Sequence, residues 1–212
     1  MFSRHTLLKE TLKYIAALGY RPFMGSARKV VLCYHGLSVA TLPQFSEQMR
    51  YVKAQCRVVP PSRILAAETG PKTVLAVTFD DAFESFYELA TPVLKELGLT
   101  AAVFAPTGCL GRPCGWSMPD GHPDRQQVVM DAAKLIELDK AGFEVFSHTA
   151  SHPDLTAVSG AQLKDELAGS KAALEEVLGH PVPGISYPHG RHNQNVLEQA
   201  CQSGYLLGFT ID

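Results

Sequence analysis

Several features that would settle function at a glance are missing from this chain. No apolar run approaches the ~18 residues that a membrane-crossing helix needs, so no transmembrane span is expected. Charge of one sign is missing as well. The 19 basic and 21 acidic side chains leave a formal net charge of −2, without the basic field that tracks a phosphate backbone, and a nucleic-acid partner is excluded on composition. No GxGxxG or GxxxxGK[ST] loop follows any β-rich run, which removes the common nucleotide-binding folds. The 5 cysteines contain no CxxC pair, so neither a zinc ribbon nor a dense disulfide framework is expected. Cys33, Cys56 and Cys201 lie in or beside apolar stretches and read as reduced core thiols. Cys109 and Cys114 share a Gly/Pro-rich loop and are the one pair placed to form a bridge. Residues 1–20 lack the continuous apolar core and small-residue cleavage site of a signal peptide. Leu7, Leu8, Leu12, Ile15 and Leu18 instead fall near helical spacing. Residues 1–28 thus read as an amphipathic extension that packs on the domain or lies on a membrane surface. The expected location is the cytoplasm or the periphery of the cytoplasmic membrane.

What is present is ample apolar material: 212 residues, 46% of them hydrophobic, enough for one sizeable core. From residue 29 to 212, short β-rich runs alternate with helical patterns. Strands are expected at 29–35, 57–59, 73–80, 100–105, 144–147, 184–187 and 205–211. Helices are expected at 43–55, 83–97, 131–141, 159–178 and 193–203, with Ser159 as an N-cap and Gly179 as a stop. Such alternation predicts an α/β fold of parallel βαβ units, either an open sheet or a barrel.

Polar residues collect where those strands end, which is where both parallel architectures place their sites. His35 closes the first strand, Asp80 and Asp81 the third, His148 the fifth, and Tyr187-Pro188-His189-Gly190 the sixth. A buried strand running into two adjacent aspartates is costly unless the charges are paired or bound to metal; an Asp-Asp helix N-cap is the plainer alternative. His148 and His152 stand at i and i+4, a spacing that puts both imidazoles on one face of a helical turn. With an aspartate they form an open three-ligand set suited to a divalent ion.

These strings resemble a known family. Thr78-Phe79-Asp80-Asp81, Ser147-His148-Thr149-Ala150-Ser151-His152-Pro153-Asp154-Leu155 and Tyr187-Pro188-His189-Gly190 are similar to the first three motifs of the polysaccharide deacetylases, the NodB-homology group or carbohydrate esterase family 4. Leu32-Cys33-Tyr34-His35, Ala141-Gly142-Phe143-Glu144 and Gly204-Tyr205 fit the same pattern over residues 29–212. The resemblance implies a distorted (β/α) barrel of about seven strands with a divalent metal at its mouth, zinc first, with cobalt, nickel or manganese as alternatives. Asp81, His148 and His152 would bind the metal, and Asp80 would take a proton from a metal-bound water attacking an acetamide carbonyl. A backbone N–H near His189 would help to hold the oxyanion. The implied substrate is an N-acetylated sugar or polysaccharide.

Three departures from the family pattern stand out. Ala82 occupies a position usually held by glycine. Ser186 and His189 replace the arginine and tyrosine of the third motif, and Arg191 lies nearby in sequence. The family's later motifs, including the histidine that serves as general acid, have no visible counterpart before Thr210-Ile211-Asp212, as in a barrel that is truncated or uses another acid. By their strand-end positions, His189 and His35 are the candidates to protonate the amine. The loop 106–127 carries the single tryptophan, Trp116, a stacking platform for a sugar or simply loop packing. Trp116, His35, Tyr187 and Pro188 form the expected substrate-binding set. Two other readings stay open: hydrolysis of a formamide or another linear amide, and a catalytically weak carbohydrate-binding relative. Oligomeric state is not legible.

Overall fold

A computed structural model describes residues 28–211. The amphipathic helix expected within residues 1–28 lies outside the described residues, except for Arg28. Seven parallel strands form one sheet. They are β1 (Lys29–Tyr34), β2 (Arg57–Val58), β3 (Val74–Phe79), β4 (Ala102–Ala105), β5 (Glu144–Ser147), β6 (Gly184–Ser186) and β7 (Leu207–Phe209). The order is β1-β3-β4-β5-β6-β7, with the short β2 paired to the start of β3. β3 is buried along its whole length, as its unbroken Val-Leu-Ala-Val-Thr-Phe run requires for a strand covered on both faces. β1 alternates exposed and half-buried residues, the pattern of an edge.

Helices cover the outer face. α1 (Leu42–Gln55) opens with Pro43 in its first turn and buries Phe45, Met49 and Val52, one stripe at i, i+4 and i+7. A π turn at Phe86–Ala90 runs into α2 (Thr91–Glu96). Asp131 caps α3 (Ala132–Lys140) by accepting from the Lys134 N–H at 2.8 Å. α4 (Gly160–Lys164), a π turn at Asp165–Gly169 and α5 (Ser170–Leu178) make one long rod, capped by Ser159 and ended by Gly179 at φ +77°. Asn193 caps α6 (Gln194–Gln202). Tyr34, Phe45, Phe79 and Phe86 pack together between sheet and helices, with ring centroids 4.6–5.8 Å apart. At ~1.5–3 kcal/mol for each buried large side chain, such clusters supply the main stabilisation.

The other face curls on itself. β4 and β7 are three strands apart, about 14 Å in a flat sheet. Yet the Phe104 and Phe209 rings meet at 5.0 Å, and both approach Phe146. The result is an open, curled (β/α) barrel. Its bottom, at the strands' amino ends, is filled by Val59, Ile64, Val74 and Ala76. There Ser62 donates both its N–H and its hydroxyl to the Glu144 carboxylate. Cys56 is buried as expected, whereas Cys33 and Cys201 are exposed. Cys33 fails as a core thiol because β1 is an edge strand in the described residues. Cys109 and Cys114 are free thiols, not a bridge.

Candidate metal centre and active site

β3 delivers Asp80 and Asp81 to the mouth of the barrel, and the chain then turns sharply, with Asp81 at φ +68° and Ala82 at φ +48°. Left-handed backbone costs a non-glycine residue roughly 1–2 kcal/mol. Hydrogen bonds to the far end of the long loop hold this turn: Met130 N–H to Ala82 O at 2.8 Å and Glu84 N–H to Val128 O at 2.8 Å. A glycine would accept the Ala82 geometry without strain. The carboxylates do not cap a helix; they point into the site.

β5 delivers His148, and the next residues form a loop, not the helical turn inferred from the i, i+4 spacing. Thr149 and His152 take φ +68° and +59°, and this brings the two imidazoles face to edge at 4.7 Å. The Nε2 atoms of His148 and His152 lie 3.6 and 3.4 Å from Asp81 Oδ1. His148 Nδ1 is 2.8 Å from the Ser186 carbonyl, which only accepts, so that ring's proton sits on Nδ1 and its Nε2 lone pair faces Asp81. Asp80 and Asp81 each have one buried oxygen without a hydrogen-bond partner, and so does His152 Nδ1.

Electrostatics sharpen the picture. Burial, then Asp80, then Asp124, push Asp81 up to about 8. Burial likewise raises Asp80, opposed by His35 and by the Ser186 hydroxyl, which donates to Asp80 Oδ2 at 3.2 Å. Burial lowers His148 to about 3, and lowers His152 to about 2 with help from its histidine neighbours, so both rings are neutral near pH 7. The His148 Nε2 lone pair faces a buried carboxylate oxygen that has no hydrogen-bond partner, and a cation placed between them would satisfy both groups and favour the ionised carboxylate. Ligand atoms about 2.0–2.1 Å from a tetrahedral ion stand about 3.3 Å apart, close to the two separations from Asp81, and all three ligand atoms lie within 4.8 Å of one another. Asp81, His148 and His152 therefore fit a divalent ion.

The other expected site residues divide. His189, at φ +58°, packs its ring edge-on against His152 at 4.8 Å. Trp116 stacks on His152 at 4.4 Å and on Phe83 at 6.2 Å, forming a wall of the site. The loop that carries it is ordered by bridges pairing Pro113 with Val128 and Phe83 with Val129. His35 is exposed at the end of β1. Tyr187 and Pro188 are buried; the Tyr187 ring packs in a separate cluster with Ile185, Val196 and Tyr205, away from the ligand set. Arg191 does not replace the family arginine, because it pairs with Asp154 at 2.6 Å.

Sequence reasoning missed three residues. Ser186 hydrogen-bonds Asp80 from the vacated arginine position. Asp124 is buried, and its Oδ1 lies 2.0 Å from where a Cβ on Gly36 would stand, which restricts residue 36 to glycine. Glu166 is buried beneath the histidine loop. Its one signal was a polar residue on the buried stripe Leu163, Leu167, Ser170 and Leu174.

The sequence profile of the polysaccharide deacetylases matches residues 67–208, which include every proposed metal ligand. The chain belongs to the polysaccharide deacetylase family. YxkH of Bacillus subtilis, whose name places it in the same group, is 31% identical over 136 residues, covering 64% of this chain and 44% of that protein. A poly-beta-1,6-N-acetyl-D-glucosamine N-deacetylase of Staphylococcus aureus is 26% identical over 151 residues, 67% of this chain and 49% of the relative. The chain thus spans about half the length of the curated relatives it matches. Among solved polysaccharide deacetylase folds, IcaB from Ammonifex degensii superposes with a TM-score of 0.76 at 26% identity, covering 88% of this chain and 84% of that one. The Streptococcus pyogenes deacetylase PplD, solved with acetate, gives 0.72 at 26% identity over 86% and 83%.

Proposed function

We propose that this protein is a metal-dependent hydrolase that removes N-acetyl groups from an N-acetylated sugar polymer, with Asp80 as general base. The observation that carries this reading is the partnerless Asp81 oxygen faced by the Nε2 atoms of His148 and His152, with Asp80 beside them. The S. aureus relative's name points to polymers of N-acetylglucosamine as the substrate class. Acetate, present in the S. pyogenes structure, is the acid that acetamide hydrolysis releases.

When bound at Asp81, His148 and His152, a divalent ion supplies Lewis acidity toward water and the amide oxygen, and a positive charge that favours ionised aspartates. Zinc suits two imidazoles and a carboxylate, and cobalt, nickel or manganese are the alternatives to compare. Asp80 is held through Oδ2 by Ser186, which leaves Oδ1 free to take the proton of the attacking water. A positioned base of this kind contributes about 10²–10⁴-fold. A backbone N–H near His189 stabilises the developing oxyanion. His189, packed against His152, returns a proton to the amine nitrogen as the C–N bond breaks, and His35 is the second candidate for that role. The products are a free amine on the sugar and acetate. Trp116 and His35 line the approach for the sugar, while Tyr187 and Pro188 support the turn from within.

The test is acetate release from N-acetylglucosamine oligomers by zinc-loaded protein, run beside Asp80→Asn. Acetate from the wild type, with turnover lost and metal retained in Asp80→Asn, is the expected result. An active Asp80→Asn protein removes the base assignment. Formate release from formylated substrates without acetate release moves the reading to a deformylase. Oligosaccharide binding with no hydrolysis moves it to a carbohydrate-binding relative.

A further inference from the structure

The segment that carries the second histidine is shaped by a carboxylate that takes no part in the chemistry above it. Thr149 is in the left-handed region, and such a residue turns the following N–H groups toward one point, a concavity that favours an anion. The anion at that point is Glu166. Its Oε2 accepts from the Ala150 N–H at 2.9 Å and from the Ser151 N–H at 2.8 Å, and its Oε1 accepts from the Ser151 hydroxyl. Glu166 is 6% exposed and lies in the π turn between α4 and α5, an irregularity common at functional sites. From the other side, the Thr107 and Gly108 N–H groups donate to Thr149 O at 3.1 Å and Ala150 O at 2.7 Å. A Cβ on Gly108 would stand 2.8 Å from Ala150 O, so that approach requires glycine. The His152 N–H closes the turn on Thr149 Oγ1 at 3.0 Å.

We infer that Glu166 is a positioning residue of the metal centre: its buried carboxylate gathers the Ala150 and Ser151 amides and so fixes the 149–152 loop that aims His152 at Asp81. The inference rests on the reading of Asp81, His148 and His152 as metal ligands. Glu166 itself touches neither metal nor substrate. Its effect belongs in metal affinity and coordination geometry, because losing the acceptor shared by the two amides frees the left-handed turn to relax and swings His152 away.

The experiment is equilibrium binding of zinc and cobalt to the full chain by chelator competition, with the cobalt absorption spectrum as a report on geometry. Melting of the metal-free protein is measured alongside. Glu166→Ala is expected to weaken zinc binding about 10–100-fold, the usual cost of losing a group that orients a metal ligand, and to change the cobalt spectrum. Glu166→Gln, whose amide oxygen can accept from both N–H groups, is expected to stay near wild type. Glu166→Asp, which keeps the charge but withdraws it by one methylene, is expected to fall between them. If Glu166→Ala does not fold, the Gln and Asp variants decide: Gln near wild type with Asp weakened supports the inference. Wild-type affinity and spectrum in both Ala and Asp variants, or in Asp alone where Ala does not fold, overturn this inference alone. Glu166→Gln binding as weakly as Glu166→Ala also overturns it. A wild-type chain that binds neither ion overturns the metal-centre reading and this inference with it.

Discussion

The two ends of the curled barrel are built from the same strands and treat a carboxylate withdrawn from solvent in opposite ways, half-buried and paired at one end, buried with a partnerless oxygen at the other. At the bottom, the Glu144 carboxylate is engaged by the N–H and hydroxyl of Ser62 above an apolar plug. At the mouth, Asp80 and Asp81 each keep a buried oxygen without a partner. Every non-glycine residue at positive φ among the described residues is also found there: Asp81, Ala82, Thr149, His152 and His189. The bottom is organised for stability, with polar groups matched to one another. The mouth is organised for something that is not protein, and strained backbone persists there because the surrounding hydrogen bonds over-determine it. Unsatisfied polar atoms of this kind point to a ligand more sharply than the sequence motifs do.

That contrast can be broken or sharpened by experiment. The largest effect is expected on removing both histidines of the proposed metal centre. Zinc at about 100 times its Kd should stabilise the wild type by about 2.7 kcal/mol against unfolding. The His148→Ala, His152→Ala double variant should show no zinc-dependent shift in Tm and retain no metal. An undiminished shift would mean that the mouth is not the binding end. At the bottom, Glu144→Ala should lower stability by about 1–3 kcal/mol, because it leaves the Ser62 donors without their acceptor, while zinc affinity stays the same. A matching loss of metal affinity would show that the two ends are not independent.

Back at the mouth, Ser186→Ala removes the hydroxyl that donates to Asp80 Oδ2. It should lower kcat about tenfold, about 1.4 kcal/mol, with KM and bound metal unchanged. An effect on KM alone would reassign Ser186 to substrate binding. The smallest effect concerns the surface pair beside the site. The Asp154 carboxyl is held down to about 2 by hydrogen bonds from Thr156 and then Arg191. A depressed carboxylate stabilises the fold above its unfolded pKa and loses that contribution as pH falls through the folded value. Asp154→Asn should therefore cost up to about 1 kcal/mol at neutral pH. Denaturation curves should show its gap from wild type shrinking between pH 4 and pH 2. A gap that widened toward acid would contradict the pairing.

Much of the framework was legible in the linear chain. The unbroken apolar run of β3, the cap Ser159 and the stop at Gly179 are local signals, and the structure uses each where expected; Asp131 and Asn193, expected as the first residues of their helices, prove to be the caps. The seven-strand parallel reading rested on alternation and held. Periodicity misled at His148 and His152, where i, i+4 spacing suggested a helical turn. The loop instead reaches its geometry through two left-handed residues that no local propensity favours. Glu166 and Ser186 were not legible as site residues, since each acts through one hydrogen bond or a few bonds across the fold. Trp116 was visible as an aromatic in a loop, but its stacking on His152 depends on where that loop folds back.

By itself the sequence determined which residue types arrive at strand ends: paired aspartates after a buried strand, two histidines after another, and a turn with His189 after a third. Only the tertiary structure decided which atoms face one another. β3 and β5 are separated by β4, and their terminal residues converge because parallel register places all the strand ends on one side while the curl of the sheet draws them together. It also decided that Ser186 stands beside Asp80, that Arg191 is committed to Asp154, and that Glu166 lies beneath the histidine loop. The reason is physical: propensity and hydrophobic pattern act along the chain, whereas the pairing of buried charges is settled across it, once water has been excluded and each partnerless group becomes costly.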